Sequence, residues 1–132
     1  MQDLTFVEIR RRVSEIHLPV FDLVVGIANG GLVPANLVAY KLGIDLLLVK
    51  INYRDEKNNP RYDVPKLLDD NRPEIRNKKL LIVDDVSVTG KTLETVKELF
   101  PGNEIKTLVF KGKADFVLFP EVGTCVNWPW KI

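Results

Sequence analysis

Leu80-Leu81-Ile82-Val83-Asp84-Asp85-Val86-Ser87-Val88-Thr89-Gly90-Lys91-Thr92 is the stretch that decides how this chain folds. The apolar run Leu80 to Val83 has no polar alternation, as expected of a strand buried on both faces of a parallel sheet. It leads straight into Asp84 and Asp85, and ligands of such sheets sit beyond the carboxyl ends of the strands, where these acids fall. A helical pattern follows in Leu93, Val96, Leu99 and Phe100. The backbone N–H groups of residues 87–92 open that helix, and a helix N-terminus favours an anion. One ligand is implied, with hydroxyls for the carboxylates and a phosphate for the loop. A ribose 5-phosphate fits.

Working outward, the same α/β alternation continues on both sides. Asp3 or Thr5 caps a first helix reaching about Ile16, with Phe6, Ile9, Val13 and Ile16 on one face. Phe21–Ile27 reads as a buried strand with Asn29-Gly30-Gly31 as its exit loop. Leu32–Leu42 reads as a helix with Pro34 in its first turn and Gly43 past its end. Ile44–Ile51, Ile105–Phe110 and Phe116–Phe119 complete the strands, and the tail is short and aromatic. Between them, Asn52–Asn77 is polar, with Pro60, Pro65 and Pro73 and no periodicity, as in functional or mobile segments. Strands alternating with helices predict an α/β fold, a doubly wound parallel sheet of four to five strands flanked by helices.

Size and composition narrow the classes. The 132 residues are expected to form one domain, 1–132, with 45% apolar and 28% charged residues as in ordinary globular chains. A net charge of +1 makes no electrostatic case for nucleic acid or an anionic membrane as partner. The single Cys125 excludes an internal disulfide and suits a reducing cytoplasm, and with His17 it is too little for a Cys/His metal cluster. No apolar run approaches membrane-spanning length, and Met1-Gln2-Asp3-Leu4 is not a signal peptide. Two look-alike motifs fail on chemistry. Gly90-Lys91-Thr92 resembles the end of a Walker loop, but the glycine such a loop needs at position 85 is an aspartate facing the phosphates. Gly26-Ile27-Ala28-Asn29-Gly30-Gly31 lacks the dinucleotide-binding spacing.

The apolar strand, two acids and Thr89-Gly90-Lys91-Thr92 resemble the signature of the type I phosphoribosyltransferases. Phe21–Gly43 is similar to the first strand, pyrophosphate loop and helix of the xanthine-guanine and hypoxanthine group of purine enzymes. Thr107–Lys111 is similar to their strand ending in a purine-contacting lysine, and Val126–Trp130 to their Pro-Trp segment closing the base pocket, here a minimal C-terminal hood. The resemblance covers residues 21–52 and 80–130; residues 53–79 match poorly.

It implies a Mg²⁺-dependent transfer of ribosyl 5-phosphate from 5-phosphoribosyl 1-pyrophosphate to a base, a 6-oxopurine, with pyrophosphate released. Asp84 and Asp85 would take the ribose hydroxyls as the catalytic pair, with Asp85 on or near the metal. Two acids without a neighbouring arginine repel unless a cation shares their space. Both are expected to be solvated at the strand exit. Ser87, Val88, Thr89, Gly90, Lys91 and Thr92 form the 5′-phosphate loop, although Lys91 reads equally as a solvated first-turn residue. Asn29, Gly30 and Gly31 wrap the pyrophosphate, and the Ala28–Asn29 peptide is expected to be cis. Lys111 and the backbone of Val126 meet the base. Trp128 reads either as a base contact or, with Trp130, as core or interface. Tyr53, Arg54 and Lys57 are expected in a lid. A homo-oligomer, most simply a dimer, is implied, with Trp128, Trp130, Phe116 and Phe119 as apolar surface for it.

Three positions depart from the purine pattern. Asn29 stands where that group has an arginine, Val88 where it has an aspartate near the purine N7, and Cys125 where it has a stacking aromatic. Valine cannot exchange a proton. These departures keep open a second reading, a phosphoribosyl-ligand-binding or regulatory protein without turnover.

Overall fold

A computed structural model describes residues 1–52, 66–67 and 74–131 of the chain. Its elements are β1 (Gln2–Asp3), α1 (Phe6–Glu15), β2 (Leu23–Ala28), α2 (Leu32–Leu42), β3 (Asp45–Asn52), β4 (Lys66–Leu67), β5 (Lys79–Ser87), α3 (Lys91–Glu98), β6 (Glu104–Gly112), β7 (Phe116–Val117) and β8 (Val126–Asn127). The main sheet runs β4-β3-β2-β5-β6-β7, five parallel strands with the short β4 antiparallel at the edge. The parallel α/β expectation therefore holds at its upper strand count.

The two central strands show why. In β2, Val24 faces one apolar core and Val25 the other; in β5, Leu81 and Val83 face the first, Leu80 and Ile82 the second. All six are buried, because helices cover both faces. Ile9 and Val13 of α1 and Ala35, Val38 and Ala39 of α2 close the first face. Leu93 and Val96 of α3, with Phe100, close the second. Because β3 lies on one side of β2 and β5 on the other, the sheet order reverses between β2 and β5. The loops after these strands lead to helices on opposite faces, and the crevice between them is where open α/β sheets bind ligands.

Local chemistry sets the helix limits. Thr5 caps α1 in a reciprocal box: its hydroxyl accepts from the Glu8 N–H at 3.1 Å while the Glu8 carboxylate accepts from the Thr5 N–H at 3.2 Å. Gly43 ends α2 in the left-handed region and donates its N–H to Ala39 O at 2.8 Å. Arg12 ties α1 to the segment after β7, donating to Leu118 O at 2.8 Å, pairing with Glu121 and lying 4.6 Å over the Phe119 ring.

Two features were not expected from the sequence, and a third decides between two readings. β5 and β6 continue past Asp85 and Phe110, pairing Val86 with Lys111 and Ser87 with Gly112. A separate parallel pair joins β1 to β8, Gln2 beside Val126 and Asp3 beside Asn127. Trp128 is 2% exposed and Phe119 3%, so these aromatics are consumed by the chain's own core rather than left for a partner. Trp128 and Trp130 stack 5.1 Å apart, each edge-on to Phe110. Of the two readings of Trp128, the core reading is the one observed. The Tyr53, Arg54 and Lys57 lid lies outside the described residues.

Gly26 governs how closely α2 approaches the sheet. A Cβ there would lie 2.5 Å from Ala35 Cβ. Gly26→Ala should lower stability in urea denaturation by about 1–3 kcal/mol through overpacking. Adding Ala35→Gly should restore part of that loss; a double variant no better than the single would place the strain elsewhere.

Candidate functional site

The site forms where the loops after β2 and β5 meet. Gly31 sits so close to the ends of β2 and β5 that a Cβ would lie 2.6 Å from Ile27 O and 2.8 Å from Val83 O. At Gly30 a Cβ would lie 2.7 Å from Asp85 Oδ1. Only glycines allow the Asn29-Gly30-Gly31 loop to lie against the acids. The Ala28–Asn29 peptide is cis, as the resemblance implied.

The acids differ from the solvated strand-end pair expected. Asp84 is buried, at 8% exposure, because β5 runs on to Ser87 between β6 and the Gly31 backbone. Its Oδ1 accepts from the Asp85 N–H at 2.8 Å, and Asp85 Oδ1 accepts from the Val86 N–H at 2.8 Å. Burial first, then the negative charge of Asp85, pushes the Asp84 carboxyl up to about 8. Lys131 works against this shift, its Nζ 3.7 Å from Asp85 Oδ2. Two carboxylates held this closely favour a cation or hydroxyl donors between them.

Beyond them, Gly90 takes φ +84° and provides no side-chain cap to α3. The first-turn N–H groups are thus left without a capping side chain, apart from that of Lys91, which donates to Thr89 Oγ1 at 3.3 Å. Ser87 Oγ is buried with no hydrogen-bond partner among the described residues. An oxyanion at this helix end would meet backbone amides. Val88 is 74% exposed and Lys91 is exposed. Thr92 is half-buried.

Lys111 is half-buried beside Val86, at the same edge of the sheet as the acids. The structure thus gathers Asn29–Gly31, Asp84, Asp85, the loop to Thr92 and Lys111 at one sheet edge. Val126 is set differently: it pairs with Gln2 in β8 and packs against the aromatic core. Cys125, one of the three departures, is exposed, and its carbonyl accepts from the Gln2 N–H. Sequence reasoning missed Lys131, whose placement depends on the fold of the aromatic segment before it. Among the described residues, no helix is long and apolar enough to cross a membrane.

The family model of the phosphoribosyl transferase domain matches residues 5–124. This chain belongs to the phosphoribosyl transferase family. A curated relative, the transcriptional regulator GfcR of Methanocella arvoryzae, is 36% identical over 78 residues, 58% of this chain and 38% of the regulator. The chain therefore spans little more than a third of that regulator's length. Among solved structures, the purine phosphoribosyltransferase of Pyrococcus horikoshii superposes with a TM-score of 0.78 at 26% identity, covering 98% of this chain and 93% of that one. The Helicobacter pylori xanthine-guanine-hypoxanthine phosphoribosyltransferase gives 0.74 at 16% identity, covering 99% and 93%, and shares the fold. Purine and hypoxanthine-guanine phosphoribosyltransferases are thus the structural neighbours.

The raised Asp84 carboxyl has a thermodynamic consequence. A group whose pKa is higher in the folded state binds more protons there, so stability falls as pH rises from the ordinary aspartate range to about 8. Urea denaturation of the ligand-free protein should show this decline, and Asp84→Asn should flatten it. A variant profile parallel to that of the unmodified protein would exclude Asp84 as its source.

Proposed function

We propose that this phosphoribosyltransferase-fold domain transfers the ribosyl 5-phosphate of 5-phosphoribosyl 1-pyrophosphate to a ring nitrogen of a base, a 6-oxopurine. The observation carrying this is the acid pair lodged against a glycine loop on one side and an uncapped helix N-terminus on the other. Asp84 and Asp85 hold the ribose 2′ and 3′ hydroxyls. Ser87, Val88, Thr89, Gly90, Lys91 and Thr92 cradle the 5′-phosphate, and Asn29, Gly30 and Gly31 the diphosphate. Lys111 supplies a cation to the exocyclic oxygen of the purine; of Val126, whose side chain packs on the aromatic core, only the backbone would face the base edge. The C1′–O bond to the diphosphate breaks as the C1′–N bond forms. The proton of the base passes to solvent, because Val88 offers no acceptor.

Mg²⁺ fits this site. Among the described residues there is no cluster of three or more His, Cys, Asp or Glu side chains suited to a metal, and the acid pair is the donor set at this site. Mg²⁺ is commonly held by one or two carboxylates together with substrate phosphates and waters. Asp85 would hold the ion beside Asp84, and its charge would offset that building on the leaving diphosphate. Replacing both acids by Asn should abolish Mg²⁺-dependent binding of 5-phosphoribosyl 1-pyrophosphate in isothermal titration while the circular dichroism spectrum is kept. Unchanged affinity would move the ribose site elsewhere.

A second reading, a phosphoribosyl-ligand sensor without turnover, is favoured by Val88 and by the similarity over 78 residues to a transcriptional regulator. Pyrophosphate release with Mg²⁺ and a panel of bases separates the two. Release identifies the transferase, and Val88→Asp should then raise the rate with purines, by up to about 10²-fold where geometry allows. Binding without release from either protein selects the sensor.

A further inference from the structure

Lys131 stands over the acid pair because of what precedes it. Trp128 and Trp130 stack at an interplanar angle of 7° and bear edge-on against Phe110 of β6. Phe6 of α1 packs on Trp130 from a centroid distance of 6.1 Å. This anchored aromatic segment delivers the ammonium of Lys131 to within 3.7 Å of Asp85 Oδ2. A Cβ on Gly30 would lie 2.9 Å from that same oxygen. One carboxylate oxygen therefore has the ammonium on it and the Asn29-Gly30-Gly31 loop against it. The glycine loop itself brings no charge: Asn29 is neutral and the glycines have no side chain. A diphosphate in that loop, beside two carboxylates, carries more negative charge than one divalent ion offsets, and a further cation within reach would strengthen its binding.

We infer that Lys131 is a ligand-binding residue, the cation that meets the diphosphate of the phosphoribosyl ligand. The inference rests on the function proposed above. The Lys131 side chain is 58% exposed against 13% for Asp85, so the lysine is the partner free to move. A lysine is a compact charge on a flexible stem. Asp85 would hold the metal ion, and the Lys131 ammonium, exposed and on a flexible stem, would reach the diphosphate oxygens while the tryptophans keep its backbone in place.

Isothermal titration with Mg²⁺ and three probes tests this: 5-phosphoribosyl 1-pyrophosphate, inorganic pyrophosphate and ribose 5-phosphate. Lys131→Gln should weaken both diphosphate-bearing probes about tenfold, the usual scale for a hydrogen bond to a charged group. Ribose 5-phosphate should bind with unchanged affinity, and Lys131→Arg should retain most of the diphosphate affinity. Tryptophan fluorescence and the melting temperature of Lys131→Gln should match the unmodified protein, since the aromatic anchor is untouched. Equal weakening of all three probes, or none, overturns the inference alone. If the unmodified protein binds none of the probes, the proposed function falls and takes the inference with it.

Discussion

The parallel pairing of β2 with β5, Leu23–Gly26 beside Leu80–Val83, is the constraint from which the rest of the molecule follows. These strands are distant in sequence, and the chain between them builds β3 on one side before returning on the other. Because side chains alternate along both strands, each face presents its own apolar stripe, and neither is stable until helices cover it. α2 and α3 must then leave toward opposite faces. Their starting loops part at the point where two strands lie side by side, and a crevice is left with backbone amides and strand-end side chains around it. The Gly26–Ala35 contact fixes how tightly one wall stands, and Gly30 and Gly31 how near the loop comes to the acids.

Into this crevice the fold places two consecutive carboxylates, one of them nearly removed from water. Burial of a charge is costly unless something compensates for it. Here the compensation inside the chain is partial: a backbone N–H for each acid, the exposed Lys131 ammonium on Asp85, and a carboxyl at Asp84 whose pKa is raised. Ser87 Oγ, in the same strand, is buried without a hydrogen-bond partner among the described residues.

Much of this was legible in the sequence wherever the deciding forces are local. Leu80 to Val83 announced a doubly buried strand, Leu32–Leu42 and its Gly43 stop matched the helix to the residue, and of the two caps read for α1, Asp3 or Thr5, Thr5 is the one observed. The convergence of the glycine loop, acids and helix start followed from the general rule for open α/β sheets. What escaped depends on contacts remote in sequence. Asp84 is buried because β6 runs alongside β5 to its end, and no local pattern reports that. The β1–β8 pair is two residues long, too short for any periodicity. The fate of the tryptophans hinged on Phe110 and Phe6, residues brought near them only by the finished fold.

That aromatic stack also makes the molecule self-reporting. Both tryptophans of the chain are in it, parallel and in contact, with Lys131 as the next residue toward the acids. Two indoles at such a spacing couple their electronic transitions, so their joint optical signature depends on geometry as well as environment. The segment that carries the signal is the same one that holds the ammonium over the crevice. Displacement of the backbone there would change the signal without any attached label.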